Sequence, residues 1–133
     1  MDTDCDRLDR AFAALRARHM IALHDAGDCQ EDGFELCDAA FGRLTEPEQA
    51  EISGYCFYHG QDTTRAIEGA GLGLTYCPIG PIQSDGDAEG IALGRSICDE
   101  LERAGLTVVW SGDFQDRIQV IPFDGKRCWK DEA

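Results

Sequence analysis

The chain has 133 residues, enough for one domain with its own apolar core. Its net charge of −14, from 26 acidic against 12 basic residues, is spread through both halves; it disfavours nucleic acid and anionic membrane surfaces and suits a basic protein partner. No stretch approaches the length of a membrane span, and Met1-Asp2-Thr3-Asp4 carries no apolar export core. The seven cysteines are odd in number and irregularly spaced, so the sequence reads as a cytoplasmic protein with reduced cysteines.

In chain order, Leu8, Phe12 and Leu15 recur at helical spacing and predict a first helix from about Asp6 to Arg18. Met20 to His24 reads as a short buried strand, closed by Ala26-Gly27. Phe34, Cys37, Phe41 and Leu44, three or four residues apart, predict a second helix from Gln30 or Asp32 to Leu44, ending before Glu46-Pro47. Ile52 to His59 is rich in β-formers and predicts a second strand. Gly60 then frees the backbone, and Asp62 or Thr63 is placed to cap a helix running from Thr63 to about Glu68.

Leu72 to Cys77, bounded by Gly71 and Pro78, predicts a third strand, and Pro78 to Gln83 a loop. Ser84-x-x-Asp87 resembles a capping box for a helix carrying Gly90, Gly94, Ile97, Cys98 and Leu101 on one face, with Gly105 ending it; Gly90 and Gly94 would let that helix lie close against the sheet. Leu106 to Trp110 and Arg117 to Ile121 are two further strands joined through Ser111-Gly112-Asp113 as a hairpin. The order α-β-α-β-α-β-α-β-β predicts a single α/β domain over residues 1–133. It should hold a mostly parallel sheet with a C-terminal antiparallel hairpin and helices packed on it, residues 1–4 and 124–133 being frayed or loosely packed.

Three stretches carry a resemblance: Ala26-Gly27 with Asp32-Gly33; the run Gly54-Tyr55-Cys56-Phe57-Tyr58-His59-Gly60-Gln61-Asp62; and Gly94-Arg95 through Ala104-Gly105 to Trp110-Ser111-Gly112 and Arg117-Ile118. Over most of its length the chain resembles an uncharacterised bacterial family of small acidic domains of unknown function. The resemblance implies no activity. It implies that the first helix ends near His19, where relatives carry glycine. Asp28 and Cys29 depart from the family pattern, which weakens any role for Cys29.

The candidate site follows from topology. If the first two strands run parallel, the loops Ala26 to Gly33 and His59 to Asp62 leave the same sheet edge, where helix N-termini supply donors and ligands bind. This gathers Asp28, Gln30, Asp32, Tyr58, His59, Gln61 and Asp62 as ligand-binding candidates. A histidine beside carboxylates is also a candidate acid or base, which makes His59, Asp62 and Asp32 the catalytic candidates. The structural alternative is that His59, Gln61 and Asp62 satisfy turn backbone.

A zinc site from Cys56, His59, His24, Cys29 or Cys37 is disfavoured, because Cys56 and His59 differ in strand parity and no paired Cys-x-x-Cys occurs. No metal and no cofactor is expected, Gly69-Ala70-Gly71-Leu72-Gly73 lacking the helix a dinucleotide site needs. Trp110, Arg117 and Trp129 form a possible binding face, although Trp110 in the core and Arg117 paired with Asp113 or Asp116 is the favoured reading. Lys126 to Lys130 is a small basic tail.

The expected function is a binding or regulatory module for a protein partner or small ligand. The alternative is a small hydrolase or transferase using His59 as general acid or base. Mimicry of nucleic-acid charge would need carboxylates spaced like phosphates along one face, a spacing the sequence does not display.

Overall fold

A computed structural model of the chain describes residues 3–79, 86–113 and 116–125, with 86–89 described as backbone only. The order is α1 (Asp4–Ala17), β1 (Met20–Leu23), α2 (Gln30–Gly42), α3 (Glu46–Glu51), β2 (Gly54–Phe57), α4 (Gly60–Ile67), β3 (Leu72–Pro78), α5 (Gly86–Arg103), β4 (Val108–Val109) and β5 (Ile118–Val120). The strands form one five-stranded sheet in the order β1-β2-β3-β5-β4.

That sheet corrects the expected architecture. β1 and β2 are parallel, but β2 with β3, β3 with β5 and β4 with β5 are antiparallel, so the sheet is mixed and mostly antiparallel. The cause lies after β2. The eight residues of α4 extend about 12 Å, whereas the seven residues of β3 extend about 23 Å, so α4 is too short to return the chain to the far end of the sheet. Gly69 and Gly71, at φ +94° and +85°, instead turn it back into the sheet at the edge it has just left. The eighteen residues of α5 are long enough to cross, and β4 runs in the same direction as β3 with β5 inserted between them. The hairpin expected of the last two strands is present as the antiparallel β4–β5 pair.

α3 is an element the sequence reading missed. Thr45 and Glu48 form a reciprocal capping box around Pro47, a signal present in Thr45-x-x-Glu48 but hidden behind the proline taken as a stop. At the end of α1, His19 sits at φ +66°, a conformation glycine adopts without steric cost, and the chain reverses there into β1. The Arg16 guanidinium holds this reversal, donating twice to the Ala22 carbonyl (3.0 and 2.8 Å). Thr3 caps α1, and the Asp4 carboxylate accepts from the Asp124 backbone N–H (2.8 Å), so the two ends of the described chain meet.

Strand alternation sorts side chains to the two faces. On one, Met20, Ala22, Cys56, Tyr58, Leu72, Leu74, Tyr76, Ile118 and Val120 pack under Leu8, Phe12 and Leu15 of α1 and Ile97 and Leu101 of α5. Gly94 brings α5 close to this face, since a Cβ there would lie 2.7 Å from the Trp110 ring. On the other face, Ile21, Leu23, Tyr55 and Phe57 pack under Phe34, Cys37 and Phe41 of α2. Phe34 meets Phe57 edge-on, with ring centroids 5.1 Å apart, and α2 lies so close at Gly33 that a Cβ there would overlap the Phe57 ring.

Cys29, Cys37, Cys56, Cys77 and Cys98 are free thiols, and burial raises Cys98 to about 11. Cys5 is disulfide-bonded, which corrects the all-reduced reading, because irregular spacing along the chain does not limit which sulfurs meet in space. Residues 80–83 of the expected Pro78 to Gln83 loop, the Ser84 capping box, Cys128, Trp129 and the Lys126 to Lys130 tail lie outside the described residues. No helix among the described residues is long and apolar enough to cross a membrane.

Candidate functional site

The two strand-to-helix loops lie side by side. Because β1 and β2 are parallel and in register, with Leu23 opposite Phe57, both chains leave the same edge of the sheet. Backbone bonds continue the pairing beyond the strands, from Ala26 N–H to the Tyr58 carbonyl (2.7 Å) and from Gly60 N–H to the Gly27 carbonyl (2.8 Å). Within the first loop the Asp32 carboxylate accepts from the Asp28 N–H (3.0 Å) and closes the turn that starts α2.

The second loop is organised around Asp62. The expected cap for α4 was Asp62 or Thr63, but the N-cap is His59, and Asp62, three residues on, reaches back to accept the His59 backbone N–H (3.1 Å). The acid therefore caps the helix from inside its first turn. Thr63 and Thr64 hydroxyls both donate to the Gly60 carbonyl.

Asp62 is 1% exposed and is neutralised by a residue the sequence assigned elsewhere. Arg117 does not pair with Asp113 or Asp116; its two terminal nitrogens donate to the two Asp62 carboxylate oxygens at 3.0 and 2.8 Å, and one also donates to the Gly73 carbonyl (3.0 Å). Parity explains the choice. Ile118 points into the α1–α5 core, so Arg117 points to the α2 face, across β3 from α4, and Gly73 leaves room for the guanidinium. Bidentate charge-assisted bonding is the arrangement in which a buried carboxylate is tolerated.

His59 completes the cluster. Its Nε2 lies 3.3 Å from the Asp62 carboxylate, and a carboxylate only accepts, so the proton sits on Nε2 and leaves Nδ1 as acceptor. Nδ1 is buried and has no partner. Burial pushes the imidazole below its ordinary value, Asp62 pulls it up, and Arg117 lowers it further, so the ring is neutral at neutral pH. At 4% exposure the ring lies against the Asp62 carboxylate, which is itself held by Arg117.

The other candidates divide. Gln30, Asp28 and Gln61 are exposed, Gln30 on the first turn of α2, and Asp32 serves its loop. Tyr58 leaves the group: its ring lies on the opposite face, where the hydroxyl meets His24 Nδ1 (2.7 Å) beside Phe12. Adjacent strand residues face opposite ways, so His59 and Tyr58 could not both serve one site. His24 stacks on Phe12 at 4.4 Å with Nε2 3.3 Å from Asp9, and burial again lowers its pKa first. Among the described residues no group of three or more His, Cys, Asp or Glu is arranged to hold a metal.

Beyond α2 the same sheet face opens into a cleft of about 230 Å³ lined by Gln30, Phe34, Thr75, Cys77, Asp116 and Arg117, with Tyr76 between them. Thr75 is 5% exposed, and its hydroxyl has no hydrogen-bond partner; Arg117 Nε is likewise buried and unpaired. Leaving a buried polar group unsatisfied costs about 1–3 kcal/mol, so two in one cleft wall is an arrangement folding alone does not favour. Sequence reasoning gave Thr75 no role beyond its strand, Phe34 only a place on a helix face and Asp116 only a pairing with Arg117. The available signal was Thr75 as the one aliphatic hydroxyl in its strand.

The fold and this cleft define a mixed α/β domain with an apolar core between the sheet and α1 and α5, and with a part-covered cleft lined by both polar and apolar side chains on its other face. The chain belongs to the family described as Domain of unknown function (DUF6891), which residues 1–128 match. No curated protein and no solved structure matches it.

Proposed function

We propose that this domain is a binding module for a small ligand, seated where α2 meets β3 and the start of β5. The observation that carries this reading is the pair of unsatisfied buried groups, Thr75 Oγ1 and Arg117 Nε, on residues lining one cleft. A ligand that offers acceptors to both recovers the hydrogen bonds the free protein lacks. The His59–Asp62–Arg117 cluster fixes the guanidinium beforehand, so little ordering is lost on binding.

A protein partner is the less favoured occupant. Docking of that kind draws on a contiguous apolar patch, and the exposed large apolar side chains among the described residues are split between Leu36 on α2 and Val109 and Ile121 at the far side of the sheet.

The test is Thr75→Val. Removing an unpaired hydroxyl leaves urea stability unchanged or raises it by about 1 kcal/mol. In a ligand-observed NMR screen of small polar metabolites, compounds that bind the wild type should lose binding to the variant. If every binder is retained by Thr75→Val, or the variant is less stable by more than about 1 kcal/mol, the hydroxyl is not an open binding group and the reading fails.

A further inference from the structure

Independently of the cleft, we infer that β4 is the seam of a homodimer, in which the β4 strands of two copies pair antiparallel about a two-fold axis at Val108 and join the two sheets. The ladder sets which backbone groups face outward. Val108 stands opposite Val120 and Val109 opposite Gln119, and the Ile121 N–H donates to the Thr107 carbonyl (3.1 Å). Bonded and non-bonded pairs alternate along an antiparallel ladder, so Thr107 and Val109 turn their N–H and C=O toward β5 while Val108 turns both away from it. Because β4 is the last strand of the sheet, no strand of the described chain lies on that side.

The two edges of the sheet are treated differently. At the β1 edge the Ala22 carbonyl accepts twice from the Arg16 guanidinium, so a charged side chain occupies the strand. Soluble proteins usually blunt an edge in such a way, with charge, proline or a bulge. The β4 edge has no charge of its own: residues 106–112 carry none, and neither do residues 118–123 around β5.

Charge and symmetry select a second copy as the occupant. A chain of net charge −14 repels its own copies over most of its surface, so two copies meet where acids are absent, and residues 106–112 are such a place. Antiparallel pairing centred on Val108 is self-complementary: each Val108 N–H donates to the Val108 carbonyl of the other copy, and the Trp110 N–H of one copy faces the Leu106 carbonyl of the other. Side chains agree with this register. Val109, 55% exposed, and Ile121, 41% exposed, share the face away from the α1–α5 core, since Thr107 lies opposite Ile121 and Val109 is two residues on. The pairing sets Val109 of one copy beside Thr107 of the other and covers part of that apolar surface.

The experiment is sedimentation velocity on the full chain up to about 1 mM, in salt of about 0.5 M, which shortens charge repulsion to about 4 Å. The wild type should sediment as a dimer at the upper concentrations. Val108→Pro deletes an N–H that faces away from β5, a position where an edge strand tolerates proline, and should raise the dissociation constant at least ten-fold while the ¹⁵N spectrum keeps the wild-type pattern in β3 and β5. Val109→Glu, at an exposed position, should weaken the dimer by a similar factor by setting like charges across the seam, and it decides alone if Val108→Pro does not fold. Leu36→Glu, on the exposed side of α2, should leave the dimer unchanged. A wild type that stays monomeric throughout, a dimer that either folded β4 variant leaves intact, or one that Leu36→Glu dissociates overturns the assignment of β4 as the seam.

Discussion

The two faces of the sheet solve burial in different ways. The face under α1 and α5 is closed almost entirely by apolar side chains, with Phe12, Leu15, Leu72, Leu74, Ile97 and Val120 at or near zero exposure. The face under α2 is apolar only as far as Phe57; beyond it the strands present Gly73, Thr75, Cys77 and Arg117. Apolar packing is non-directional and tolerates approximate fits, whereas a buried carboxylate requires a specific partner. The difference teaches where to look for function: the second face keeps polar groups that stability alone would have exchanged for carbon.

The comparison breaks most visibly at Arg117. Arg117→Met removes the partner of a carboxylate that is 1% exposed, and urea unfolding should show a loss of about 3 kcal/mol or more. Adding Asp62→Leu should restore much of that loss, because the uncompensated charge disappears with it. Leu74→Ala on the closed face should cost a comparable 2–5 kcal/mol, with no single second substitution restoring it. If Arg117→Met costs less than about 1 kcal/mol, the ionic cluster does not organise its face.

A smaller effect tests how tightly α2 closes its half of the second face. Gly33→Ala places a methyl group in the Phe57 ring, which must move, and a cost of about 1–3 kcal/mol is expected in the same assay. Full stability in that variant would mean that α2 has slack to shift.

The smallest effect is one of pH, and each face contributes a histidine to it. Burial lowers both His59 and His24 below the ordinary value of 6.5, so the folded protein holds them neutral where the unfolded chain takes up protons. Their contribution to stability is complete above about pH 6.5 and is lost as pH falls through that value toward the folded pKa. Stability measured against pH should therefore have a shallower acid side in His59→Gln and in His24→Gln than in the wild type. An unchanged slope in either variant would assign that ring an ordinary titration.

Much of the local structure was legible along the chain. The helical spacing of Leu8, Phe12 and Leu15, the β-rich run ending at His59 and the turn at Gly105 each depend on neighbours a few residues away, and each element formed within a few residues of its expected bounds. The meeting of the two loops was also within reach, because it required only that β1 and β2 be parallel neighbours. α3 was missed although its capping box was readable, since Pro47 was taken as a terminator and not as a first-turn residue.

By itself, the sequence determined the described helices and strands other than α3, which side chains face a core, and that the acidic groups of two loops could share an edge. Tertiary structure alone decided strand direction after β2, the partner of Asp62 and the isolation of Thr75. The physical reason is separation: Arg117 lies 55 residues from Asp62, and a guanidinium finds a buried carboxylate through strand order and parity, quantities that no local pattern encodes.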